Sequence, residues 1–163
     1  CAALESGLFL FGCHPDLYLS SLRDWNDDLK AASLDIIQCA KQTGIPLEVN
    51  GTGLRKPLIE TKQGPRHPYA TEEFFSLAAL HEAKLCCNSD AHDPHLVNGL
   101  RTEGHDNECF ALAAKLGFEY VDWILDDERR LHSVERHASS MRLAEGSCTS
   151  KTPSAPFTAL VQS

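Results

Sequence analysis

Apolar residues fall along this chain in short blocks whose spacing alternates between that of buried strands and that of amphipathic helices. Gly7 to Gly12 (Gly-Leu-Phe-Leu-Phe-Gly) is a continuous apolar run between glycines, the pattern of a strand covered on both faces in a parallel sheet. The acidic stretch Asp24-Trp25-Asn26-Asp27-Asp28 then suits a helix N-terminus. From there Leu29, Ala32, Ile36, Ile37 and Ala40 recur at helical spacing up to a stop at Gly44. Ile45 to Asn50 reads as a strand with Leu47 and Val49 on one side and Glu48 and Asn50 on the other. A glycine-containing loop, Gly51 to Pro57, follows, and residues 57–70 carry Pro, Gly and polar groups without periodicity; loops of that length are uncommon unless functional. Thr71 is a suitable N-cap for a helix with Phe74, Phe75, Leu77, Ala78 and Leu80 facing inward.

That helix leads to Leu85-Cys86-Cys87, read as the end of a buried strand, and then to Asn88-Ser89-Asp90-Ala91-His92-Asp93-Pro94, where Pro94 stops the strand. A helix is predicted from about Glu103 to Leu116 with Gly117 as its stop, and a short strand over Phe118 to Asp122. Periodicity is lost from Ser133 onward. The organisation expected is therefore a folded unit over 1–132 and a flexible Ser/Thr/Pro-rich tail over 133–163. Strands alternating with helices predict an α/β fold with parallel strands, in which chemistry gathers at the C-terminal strand ends. Polar groups stand at three such ends: His14 and Asp16, Asn50 and Arg55, Asp90 and His92.

Composition changes this picture little. The chain has 163 residues, 42% hydrophobic and 23% charged, enough for one ordinary domain with a core. A net charge of −8 argues against a nucleic-acid or anionic-membrane surface, while leaving room for a local basic pocket. No apolar run is long enough to span a bilayer, and the start has no signal-peptide pattern. The seven cysteines are irregularly spaced without a CxxC pair, which points to reduced thiols and a cytoplasmic setting. The start at Cys1 rather than Met hints at residues upstream.

In an extended segment Asp90 and His92 point to the same side, so a hard oxygen and an imidazole converge just past the strand. With His14 they form a donor set suited to a divalent Zn, Mn or Fe ion, and Asp90 and His92 are the candidate catalytic residues. The plain alternative is a surface loop in which Asp90 caps a helix and His92 is solvated. Arg55 on its glycine-flanked loop suits a phosphate, with Lys56 adding a second charge; alternatively both are a solvated loop. Glu48 is either an interior polar group or a metal ligand. Asp16 reads as a supporting partner or loop cap. Cys13 is expected to point away from His14. His67, His95, His105, His132 and His137 read as surface histidines, and His81 as lying at the core boundary.

Gly12-Cys13-His14-Pro15-Asp16-Leu17, Leu47-Glu48-Val49-Asn50-Gly51-Thr52-Gly53-Leu54-Arg55-Lys56 and Ser89-Asp90-Ala91-His92-Asp93-Pro94 occur in this order. Together they resemble the later motifs of the PHP (polymerase and histidinol phosphatase) superfamily, most closely its histidinol-phosphatase branch. His67-Pro68-Tyr69 before a helix is similar as well. The resemblance spans roughly residues 7–122. It implies a distorted (β/α)7 TIM-like barrel with divalent ions at the strand C-termini, and hydrolysis of L-histidinol phosphate in histidine biosynthesis. On that basis His14, Asp90 and His92 are the expected metal ligands and Arg55 the expected phosphate contact. The family's opening His-x-His and its middle Glu and His ligands have no counterpart here. A barrel usually takes about 250 residues, so roughly 90 more are expected upstream, and the chain is expected to be the C-terminal part, poorly active by itself. The other readings are a PHP phosphoesterase for another phosphorylated metabolite or nucleotide, and a truncated, non-catalytic structural or interaction chain.

Overall fold

Leu47 and Val49 are apolar, Glu48 and Asn50 polar, yet all four are buried, so the strand they form, β1 (Leu47–Asn50), is covered on both faces. The computed structural model describes residues 1–93, 106–125 and 131–137. Before β1 come a short helix α1 (Ala2–Glu5), a 3-10 turn (Leu17–Ser21) and α2 (Asp27–Thr43). After it follow α3 (Gly51–Arg55), α4 (Glu72–Leu80), β2 (Leu85–Asn88), α5 (Asp106–Leu116), β3 (Glu119–Leu125) and β4 (Leu131–His137). The strands lie in the order β1-β2-β3-β4, with β1, β2 and β3 parallel and β4 antiparallel to β3. The architecture is thus mixed α/β around a small parallel sheet, as the alternation of strand and helix patterns predicts.

Local chemistry accounts for the helices. The Asn26 side chain accepts from the Leu29 N–H at 3.0 Å to start α2, Asp27 and Asp28 favour its first turn, and Gly44 ends it at φ 71°. Thr71 caps α4 by accepting from the Phe74 N–H at 3.4 Å. Gly117 (φ 70°) closes α5. α2 and α4 pack together, and α5 rests on β2, α3 and α4. The core between them is built on Ile37, Leu47, Val49, Phe74, Phe75 and Leu85. Register pairs Leu47 with Leu85 and Glu48 with Cys86. Apolar residues therefore face the helices, while Glu48, Asn50, Cys86 and Asn88 form a polar second face.

Several expectations need correction. The run Gly7 to Gly12 is not a buried strand: Leu8, Phe9 and Leu10 are 83%, 53% and 60% exposed. Only Gly12 joins the sheet, pairing in parallel with Leu47. Its N–H donates to the Pro46 carbonyl at 2.8 Å and its carbonyl accepts from the Glu48 N–H at 2.9 Å. An apolar run becomes a buried strand only where a surface covers it, and none of the described residues does so here. Gly51 to Arg55 is not a loop but one helical turn, because the Asn50 side chain caps it by accepting from the Gly53 N–H at 3.0 Å. Leu80 is 75% exposed, since α4 ends there. The 57–70 loop is fastened to its surroundings. Ile59 and Arg66 form an antiparallel bridge, and the Arg66 guanidinium donates to the carbonyls of Leu19, Leu22, His67 and Pro68. At the C-terminal side β3 extends to Leu125, and β4 runs past the expected boundary at 132 as far as His137. The rest of the expected tail, with Pro94, His95 and His105, lies outside the described residues. Among the described residues no helix is long and apolar enough to cross a membrane.

Candidate functional site at the strand ends

Because β1 and β2 run in parallel and Gly12 pairs alongside β1, the segments leaving all three emerge at one end of the sheet. Each carries chemistry. His14 follows Gly12, the Asn50 to Arg55 turn follows β1, and Ser89 to His92 follow β2.

His14 and Asp90 share an uncommon backbone. Both are non-glycine residues at positive φ, 28° and 47°, conformations that persist only where surroundings enforce them. For Asp90 the enforcing contacts come from α3. The Thr52 hydroxyl donates to the Asp90 carbonyl at 2.6 Å, and Arg55 Nη2 donates to Thr52 Oγ1 at 2.6 Å and to the Ser89 carbonyl at 2.8 Å. For His14 the contact comes from Glu48, whose Oε2 accepts the His14 N–H at 2.7 Å. Asp16 secures the other side of the His14 turn. Its carboxylate, 0% exposed, accepts from the N–H groups of Ala70 and Thr71 and from the Thr71 hydroxyl at 3.2, 2.7 and 3.0 Å. Burial outweighs those three hydrogen bonds and pushes the Asp16 carboxyl above its usual range. Asp16 is thus the supporting cap that the sequence suggests.

Asp90 and His92 do meet: Oδ1 and Nε2 are 3.4 Å apart. The cause differs from the one expected, since Asp90 is not extended and strict strand alternation has ended before it. The His92 side chain is 77% exposed, so this contact contributes little to stability. The His14 ring stands edge-on to Tyr69, with centroids 6.3 Å apart. His67 and His81 are half-buried.

Glu48 accepts from three donors, His14 N–H, Asn50 Nδ2 and Asn88 Nδ2, at 2.7, 2.9 and 2.7 Å. Arg55, expected at a phosphate, holds the Ser89 carbonyl through Nη2, while its Nη1 is buried with no hydrogen-bond partner. Lys56 is exposed, with Nζ 5.8 Å from the centre of the Tyr69 ring, within cation–π range. Comparison with family models and with curated proteins finds no match. The reading of the site therefore rests on its own residues.

Their donor chemistry suits a divalent ion in part. Asp90 and His92 offer an oxygen and a nitrogen side by side, the donors that Zn, Mn and Fe accept. The number falls short: among the described residues no group of three or more His, Cys, Asp or Glu side chains is arranged to hold a metal ion. His14 stands at the same sheet end without joining the pair.

Four participants escape a reading by strand alternation. Thr52 and Asn88 look like ordinary polar residues until the β1–β2 register brings them to Asp90 and Glu48. Tyr69 arrives from the fastened loop, and its hydroxyl feels Asp90, Arg55 and Glu48; burial first, then Asp90, raises its pKa. Cys13, expected to face away, lies within electrostatic reach of Glu48 and Asp90. Cys13 is exposed, and partial desolvation, followed by those two charges, raises its thiol, so it is not an activated nucleophile at neutral pH.

Proposed function

We propose that this chain is the C-terminal part of a metal-dependent phosphomonoester hydrolase resembling the histidinol-phosphatase branch of the PHP superfamily. On this reading its sheet is a portion of a distorted (β/α)7 barrel, and the substrate is a small phosphorylated metabolite such as L-histidinol phosphate. The observation that supports it is the gathering of His14, the Asn50 to Arg55 turn and Asp90 with His92 at one end of a parallel sheet, with both His14 and Asp90 held at positive φ. Two of the four described non-glycine residues at positive φ thus stand at the strand ends that flank β1, and such conformations recur at functional sites.

In this reading His14, Asp90 and His92 would hold the ion, joined by donors beyond those described. A bound divalent ion lowers the pKa of its water to about 7 and offsets phosphate charge. The chain's own part is to place the substrate. The exposed Lys56 beside Tyr69 would meet the phosphoryl group, with the Arg55 guanidinium, its Nη1 buried, adding positive charge to the same strand end. Thr52 and Arg55 hold the Asp90 turn through its own and Ser89's carbonyls.

The test is release of inorganic phosphate from L-histidinol phosphate by the purified chain, with and without Mn²⁺ or Zn²⁺. Slow, metal-stimulated release is expected, falling at least about tenfold in Asp90→Ala. Release that ignores both chelator and Asp90→Ala contradicts the hydrolase reading. Rapid turnover would instead contradict the view of the chain as an incomplete part.

A further inference from the structure

Glu48 grips the His14 segment at two points. Its backbone N–H donates to the Gly12 carbonyl at 2.9 Å, and its side-chain Oε2 accepts from the His14 N–H at 2.7 Å. Cys13 lies between them, so the carboxylate carries the ladder one step beyond the last paired residue. We propose that Glu48 is a positioning residue that sets His14 in its φ 28° conformation, acting through hydrogen-bond acceptance rather than through charge or direct metal contact.

The hydrogen bonds around it support that role. Glu48 is 1% exposed and both oxygens are engaged, Oε2 by His14 and Asn50, Oε1 by Asn88. Its partners are a backbone amide and two neutral side chains, which fill both acceptor sites of Oε2 and one of Oε1. One of those partners has a fixed sense. Asn50 Oδ1 accepts from the Gly53 N–H that starts α3, so its Nδ2 must donate to Glu48. The other is free to reverse: the Asn88 side chain's hydrogen bond to Glu48 Oε1 turns around if its amide flips.

This makes glutamine a sharp probe. In Glu48→Gln the side-chain oxygen takes the place of Oε2 and still accepts from His14 and Asn50. The new amide takes the place of Oε1, and Asn88 flips to receive it. Geometry is kept and charge is lost. In Glu48→Ala the His14 amide has no acceptor.

The experiment is amide hydrogen exchange and chemical shift at His14 by NMR on the full chain, followed by titration with Mn²⁺ alone. Glu48→Gln should keep His14 exchange near that of the original chain, and Glu48→Ala should speed it by about tenfold or more. Should Glu48→Ala fail to fold, Glu48→Gln decides by itself: loss of His14 protection in that folded variant overturns the proposal. The titration rests on the metal reading above. Line broadening at His14 retained in Glu48→Gln agrees with positioning, and its selective loss there would make Glu48 a ligand. If the original chain shows no Mn²⁺ effect, the metal reading fails while the exchange data still judge Glu48.

Discussion

Replacing Asp16 by alanine should lower the unfolding free energy by about 3 kcal/mol, measured by urea denaturation at pH 7. The substitution removes the acceptor for the Ala70 N–H, the Thr71 N–H and the Thr71 hydroxyl, in a place closed to water. Each buried donor left unsatisfied costs about 1–3 kcal/mol. The damage also spreads, because the Thr71 hydroxyl that donates to Asp16 is the group that caps α4 at Phe74. Asp16→Asn keeps one oxygen and should cost about half as much. The pH dependence has a definite sign. Burial raises the folded-state pKa of Asp16 above its ordinary value. Its contribution is therefore full below the ordinary carboxylate range and shrinks as pH rises through the raised value. The penalty of Asp16→Ala should then be larger at pH 4 than at pH 7. A loss within experimental error of zero would mean that Asp16 does not join the His14 turn to α4, and a penalty that grows toward neutral pH would mean that its hydrogen bonds outweigh its burial.

Gly53→Ala should cost about 3 kcal/mol, at the upper end for an added methyl group in a packed interior. A Cβ on Gly53 would stand 2.6 Å from Tyr69 Cδ2 and 2.7 Å from the Tyr69 carbonyl oxygen. Real contacts do not come so close, and a backbone oxygen has no rotamer by which to withdraw. Relief requires moving either α3, held by Asn50, or the 67–71 segment, held by Arg66 and Asp16. The variant should also shift Tyr69 from His14 and Lys56, visible as a changed near-ultraviolet dichroism signal. Stability equal to the original within about 0.5 kcal/mol would show that the α3 turn and Tyr69 are not packed in this way.

Much of the frame was legible from residues alone. The spacing of Leu29, Ile36, Ile37 and Ala40, the stop at Gly44 and the cap at Thr71 are local signals, and local signals survive folding. The strand at Glu48 was legible for the same reason, whereas Asp90 and His92 meet through a turn at positive φ that strand alternation does not describe. What failed was non-local. Leu8, Phe9 and Leu10 look like a buried strand, but burial depends on a covering surface that their own sequence does not encode. Asn88 meets Glu48 only through the β1–β2 register, and a register between distant segments cannot be counted from periodicity in either one. The antiparallel β4 carries a mixed polar pattern, Leu-His-Ser-Val-Glu-Arg-His, whose alternation is too weak to announce a strand.

The proposal that His14, Asp90 and His92 share one cation is open to a direct measurement, titration of the isotope-labelled full chain with Mn²⁺ followed by NMR. Paramagnetic broadening falls steeply with distance, so an ion held jointly by His14, Asp90 and His92 should broaden the amides of all three residues together. Each of His14→Ala, Asp90→Ala and His92→Ala should weaken that effect at every one of them. Broadening confined to the exposed His92 and unaffected by His14→Ala, or centred elsewhere in the molecule, would contradict the site.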